Sequence, residues 1–148
     1  MKPTITWIVV ADGARARIFV NRGPGKGIEL SGRELTAEHQ RTSDMVRDNL
    51  PRTHESVGHT RHAIEPKVDP HQELKRGFTE HLAQLLDQSA AEQAFDRFVI
   101  VAPPRVLGDF RKAMSKRLQP LLRSEVGKDL TKASAKEVAD NLAETIII

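Results

Sequence analysis

Apolar positions change their spacing along this chain, and each change marks an element. Trp7, Ile8, Val9 and Val10 form an unbroken apolar, β-branched run, Asp12-Gly13 is a hairpin dipeptide, and Ile18-Phe19-Val20 is a second run. Two antiparallel strands are predicted. A strand apolar on both sides needs cover on both faces, so the first should lie centrally with helices against it. Asn21 to Gly27 (NRGPGKG) reads as a turn, because a strand ending near Leu35 follows it, whereas a phosphate loop would lead into a helix. From Thr36 to Asp69 no periodicity persists. A loop of that length is functional or mobile, with a short helix predicted around Ser43 to Asn49 and closed by Pro51.

Helical spacing resumes at Asp69-Pro70, where Asp69 can cap and Pro70 suits the first position. Leu74, Phe78, Leu82, Leu85 and Leu86 then repeat to about Ala90. Phe98 to Ala102 is a buried strand that should run beside the first and parallel to it, and Pro103-Pro104 ends it. Leu107, Phe110, Met114 and Leu118 predict a second helix that Pro120 should end or kink, with Arg111, Lys112, Lys116 and Arg117 off its apolar stripe. A weak edge strand is expected around Val126. Ser134 to Glu137 is a capping box that opens a third helix carrying Val138 and Leu142 inward. The order β-β-β-α-β-α-β-α predicts a mixed five-stranded sheet with helices on its faces, an α/β fold in a single domain spanning 1–148. The apolar tail Ile146-Ile147-Ile148 is hard for one short helix end to bury, which makes a second copy of the chain a candidate to cover it.

Composition narrows the chemistry. The chain has 148 residues, 39% hydrophobic and 29% charged, with no cysteine, so disulfides, thiolate metal sites and cysteine nucleophiles are excluded. MKPTITWIVV lacks a signal peptide's apolar length and cleavage site, and no stretch is long enough for a membrane span; a cytoplasmic protein is expected. Net charge is +3, unevenly spread. Arg105 to Lys132 holds eight Lys/Arg against three acids, and Val68 to Pro104 three against six. A basic face is a precondition for binding RNA, although lysine-rich helices are commonly just solvated.

Histidines gather in and near the long loop, with His39, His54, His59, His62 and His71 as potential metal ligands. No pair of them shares a face of a predicted helix, so no metal or other cofactor is expected. Ser56 with those histidines supplies the ingredients of a nucleophilic site but no geometry, and Asp12 is already explained by its hairpin. The sequence therefore weighs against an enzyme. Arg15 and Arg17 project to one side of a strand and would form a phosphate-facing pair if that side is open, or pair with acids if it is covered. Arg41, Arg47, Arg52 and Arg61 add charge in the loop. With one Trp, five Phe and no Tyr, shape and phosphate contacts would have to dominate over base stacking.

Four blocks carry a family resemblance: WIVVADGARARIFV, GHTRHAIEPKVDPHQELKRGF, FVIVAPPRVLGDFRKAM and KDLTKASAKEVADNLAE. In this order they resemble the bacterial proteins required for attachment to host cells, relatives of the archaeo-eukaryotic release factor superfamily. The resemblance implies the ribonuclease H-like fold of the release factor central domain. Taken with the basic second helix, the hairpin arginines and the arginine-rich loop, it points to a noncatalytic module partnered by the ribosome or structured RNA, with Arg15, Arg17, Arg61, Arg111, Lys112, Lys116 and Arg117 as the candidate contacts. Release factors carry Gly-Gly-Gln in the loop before the long helix. Here that loop reads THESVGHTRHAIEP and lacks the tripeptide, which speaks against peptide release. The alternative implied by the same resemblance is a protein-protein interaction used in attachment, with a partner on the host surface.

Overall fold

The computed structural model describes residues 3–37 and 69–146. The predicted short helix around 43–49 and most of the long loop lie outside them. Within them the order is β1 (Thr6–Ala11), β2 (Arg15–Asn21), β3 (Glu29–Thr36), α1 (Pro70–Ala91), β4 (Arg97–Val101), α2 (Pro104–Ala113), β5 (Leu122–Val126) and α3 (Ala135–Leu142). The strands form one sheet in the order β3-β2-β1-β4-β5. β1 pairs antiparallel with β2, which pairs antiparallel with β3; β4 runs parallel to β1 and β5 parallel to β4. This is the expected mixed sheet, with β1 and β4 as central parallel neighbours.

Side-chain alternation along the strands divides the core. Trp7, Val9, Ala16, Ile18, Phe98 and Ile100 pack against α1 and α2, while Ile8, Val10, Phe19, Val99 and Val101 pack against Val138 and Leu142 of α3. Both faces of β1 and β4 are therefore covered, as their unbroken apolar runs require. Aromatic rings tie the first face together. Trp7 lies 4.6 Å from Phe95, Phe95 5.8 Å from Phe98, and Phe98 6.0 Å from Phe110 between ring centroids.

The predicted caps form. Asp69 Oδ1 accepts from the His71 amide at 2.9 Å, and Ser134 and Glu137 bond reciprocally at the start of α3. The turn after β2 is held by Asn21, whose amide nitrogen donates to the carbonyls of Gly23 and Gly27 at 3.0 and 2.7 Å.

Two expectations are corrected. Leu74 keeps the apolar spacing of α1 but is 46% exposed, one turn outside the buried stripe that starts at Phe78. The second helix was expected to run on toward Pro120, but it stops at Ala113, because Met114 is extended with φ −66° and ψ 133°. Ser115 then opens a separate turn, its side chain accepting from the Leu118 amide at 3.1 Å and donating to Asp87 at 2.6 Å. Leu118 reaches the core from this turn, not from the helix. Lys116 and Arg117 consequently do not belong to α2.

Candidate functional site

β1 hands the chain outward to β2, and β4 hands it outward through α2 to β5. Where adjacent parallel strands send their connections in opposite directions, a crevice opens beyond their carboxyl ends. Here it is a cleft of about 290 Å³ lined by Asp12, Gly13, Ala14, Gln72, Lys75, Pro103, Arg105, Val106, Asp109 and Asp129. The first two turns of α1 supply Gln72 and Lys75, and the first two turns of α2 supply Arg105, Val106 and Asp109.

Asp12 has the hairpin role expected of it and one more. Its Oδ1 accepts from the amides of Ala14 and Arg15 at 2.7 and 2.8 Å, and its Oδ2 accepts from the Thr131 hydroxyl at 3.3 Å. Thr131 is buried; its amide donates to Asp129 Oδ1 at 3.2 Å, and its one hydroxyl proton lies between Asp129 Oδ1 at 2.7 Å and the more distant Asp12 Oδ2, so Thr131 bridges the two carboxylates. Gly13 packs on the stem of Lys75. A methyl group there would lie 2.7 Å from Lys75 Cδ and 2.9 Å from its Cβ, so only glycine lets the hairpin tip approach α1 this closely.

The remaining polar side chains are uncommitted. Lys75, Arg105 and Asp109 make no side-chain hydrogen bond or ion pair among the described residues, and Gln72 Oε1 is buried without a donor. α2 starts without a side-chain cap, with Pro104 at its first position. Pro104 has no amide hydrogen, and the amides of Arg105 and Val106 precede the first intrahelical bond, from Leu107 to Pro103, so they lend that end partial positive charge.

The residues singled out in the sequence separate on inspection. Arg15 is exposed. Arg17 lies on a covered face, but it pairs with no acid among the described residues. Its guanidinium donates to the carbonyls of Ala133 and Leu130 at 2.6 and 3.3 Å and sits 5.2 Å from the Phe19 ring centre. Arg17 is thus a structural clamp and not half of a phosphate-facing pair. Arg111 is engaged by Glu125 in a two-pronged ion pair at 2.5 and 2.9 Å, and the hydrogen bond, then the charge, of Glu125 raises its pKa above the ordinary value. Lys112, Lys116 and Arg117 are exposed. His71 sits exposed in the first turn of α1. Arg61, His54, His59 and His62 lie outside the described residues, among which no group of three ligating side chains could hold a metal ion. Gln72, Lys75 and Asp129 were not recognised from sequence, since nothing in their spacing announces a common site; Pro103-Pro104-Arg105 directly after a buried strand was the available signal.

A family model described as "Protein required for attachment to host cells" matches residues 7–142. The chain belongs to this attachment family. The cleft of this family member is built wholly within the matched span. No curated protein matches. Among solved structures, one described as "Archaeal protein" shares 14% identity over 96% of this chain and 34% of its own, with a TM-score of 0.49. The crystal structure of an archaeal translation termination factor shares 12% identity over 95% of this chain and 38% of its own, with a TM-score of 0.42. The attachment-family chain spans little more than a third of the length of either. Among the described residues no helix is long and apolar enough to cross a membrane.

Proposed function

We propose that this attachment-family domain is a noncatalytic module that binds structured RNA, including that of the ribosome, in the cytoplasm. The observation that carries the proposal is a set of cations unpaired among the described residues, Lys75 and Arg105 at the cleft and Lys112, Lys116 and Arg117 exposed on α2 and in the turn after it. Arg105 and Lys112 are seven residues apart on α2, so both stand on one side of it, about 10 Å from each other. All six aromatic side chains, Trp7, Phe19, Phe78, Phe95, Phe98 and Phe110, are buried. No platform for stacking single-stranded bases is on offer, which favours recognition of folded RNA by shape and phosphate.

Co-sedimentation with ribosomes across a salt series tests this. Binding should be clear at low salt and fall steeply toward physiological salt, the slope shrinking by about 0.9 for each phosphate contact removed. The triple variant Lys112→Glu, Lys116→Glu, Arg117→Glu should lose binding with its fold intact. Arg111 is left out because Glu125 already neutralises it. If the wild-type protein neither sediments with ribosomes nor binds structured RNA at low salt, the family description favours the second reading, an interaction surface used in attachment to the host.

A further inference from the structure

We propose that the cleft at the carboxyl ends of β1 and β4 seats one ribonucleotide, its phosphate at the start of α2 against Arg105 and Lys75 and its ribose hydroxyls on Asp109 and Asp129. This deepens the RNA-binding reading and rests on it for the class of ligand. The charges in the cleft are mixed, and that mixture selects the ligand. A bare phosphate would meet two cations but also three carboxylates, while a neutral sugar would leave Arg105 and Lys75 unanswered. A ribonucleotide presents an anion at one end and hydroxyl donors a few ångströms away. Carboxylates accepting from ribose hydroxyls and amides of a helix start facing phosphate are the usual pairing at this position in a sheet.

Burial and hydrogen bonding assign the parts. Asp12 is committed to its hairpin through the Ala14 and Arg15 amides and lies beside Thr131, so it is assigned to the wall and not to the ligand. Asp129 is held through Oδ1 alone, which leaves Oδ2 for a hydroxyl, and Asp109 is unengaged. Gln72 Oε1, buried at the wall without a donor, is an acceptor that a bound hydroxyl would satisfy once the amide turns toward it. A volume of about 290 Å³ lies at the small end of ligand pockets and suits the ribose and phosphate of one nucleotide. No exposed aromatic ring borders the cleft, so the base is left outside and unread.

The test is an amide-detected NMR titration of the whole chain with adenosine 5′-monophosphate, uridine 5′-monophosphate, 2′-deoxyadenosine 5′-monophosphate and inorganic phosphate. Both ribonucleotides should shift the resonances of Gln72, Lys75, Arg105 and Asp109 with similar affinity, and the deoxynucleotide and phosphate should each bind about tenfold more weakly or worse. Arg105→Ala should remove the response, and Asp109→Asn should bring the ribonucleotide down to the deoxynucleotide's affinity; unchanged shifts elsewhere verify the fold. Phosphate or deoxynucleotide matching the ribonucleotide overturns the proposal, as does silence at the cleft with millimolar nucleotide. A 5′-phosphorylated oligoribonucleotide that outcompetes the monophosphate identifies the end of an RNA chain as the source; the reverse order identifies the free nucleotide. Failure of the titration with ribosome co-sedimentation intact removes this inference alone. Loss of co-sedimentation in the Lys112, Lys116, Arg117 triple variant should leave nucleotide binding untouched.

Discussion

Arg15 and Arg17 stand two positions apart on β2 and point the same way, yet their surroundings differ. Strand alternation placed them together correctly. What it could not convey is that residues 130–133 would close over Arg17, through a hydrogen bond that spans 116 positions of the chain. Arg17→Ala should therefore cost about 2–3 kcal/mol in chemical denaturation, through loss of charge-assisted bonds to two carbonyls, whereas Arg15→Ala should stay within about 0.5 kcal/mol. Equal effects would show that Arg17 is no clamp. A second residue-scale expectation concerns Glu137, which is held below the ordinary carboxylate range by the Ser134 amide and then the Ser134 hydroxyl. Because the folded value is the lower one, the stabilisation is complete above the unfolded value and drains away as pH falls through the folded value. The stability gap between wild type and Glu137→Ala should thus be present at neutral pH and shrink in acid; a gap that widens on acidification contradicts this assignment.

Among the elements, those with an unbroken signal were legible and those interrupted by a single side chain were not. Residues 7–11 and 98–101 are continuous apolar runs, and the long helix opens on an Asp-Pro pair that fixes its first residue. In the second helix Leu107, Phe110, Met114 and Leu118 keep helical spacing, and three of the four fit a helix ending at Ala113 or its cap. Periodicity records which positions are buried, and Leu118 is fully buried, but it reaches the core by a different backbone path. Ser115 makes that path, so Ser115→Ala should cost about 1–2 kcal/mol through loss of the bond to Asp87 and the cap on Leu118. Its neighbour Lys116→Ala should be nearly neutral. Thermal or urea unfolding of the two variants side by side decides it. If Ser115→Ala is as mild as Lys116→Ala, the turn is held by the burial of Leu118 alone.

For the whole molecule, the strand order followed from the order of elements, while the cleft did not, because residues 12, 75, 105 and 129 come together only when the sheet forms. The same contrast holds at the C-terminus. A run of three isoleucines reads as surplus apolar surface awaiting a second copy, yet Ile146 is only 5% exposed and packs in one cluster with Ile8, Val10, Val138 and Leu142 of its own chain. Its amide and that of Thr145 both bond the Leu142 carbonyl, at 3.1 and 2.8 Å, so residues 143–146 are turned back onto the sheet. Ending the chain after Glu144 should then lower stability by about 2 kcal/mol, the contribution of one buried isoleucine. The origin of that loss shows in its dependence on concentration. Contacts within one chain give a decrement that is the same at micromolar and at hundred-micromolar protein, whereas contacts between copies give one that grows with concentration, because association stabilises by mass action. A concentration-independent loss is expected, and a decrement that rises with protein concentration, accompanied in light scattering by a drop in mass on truncation, would move the tail from the core of one chain to the interface between two.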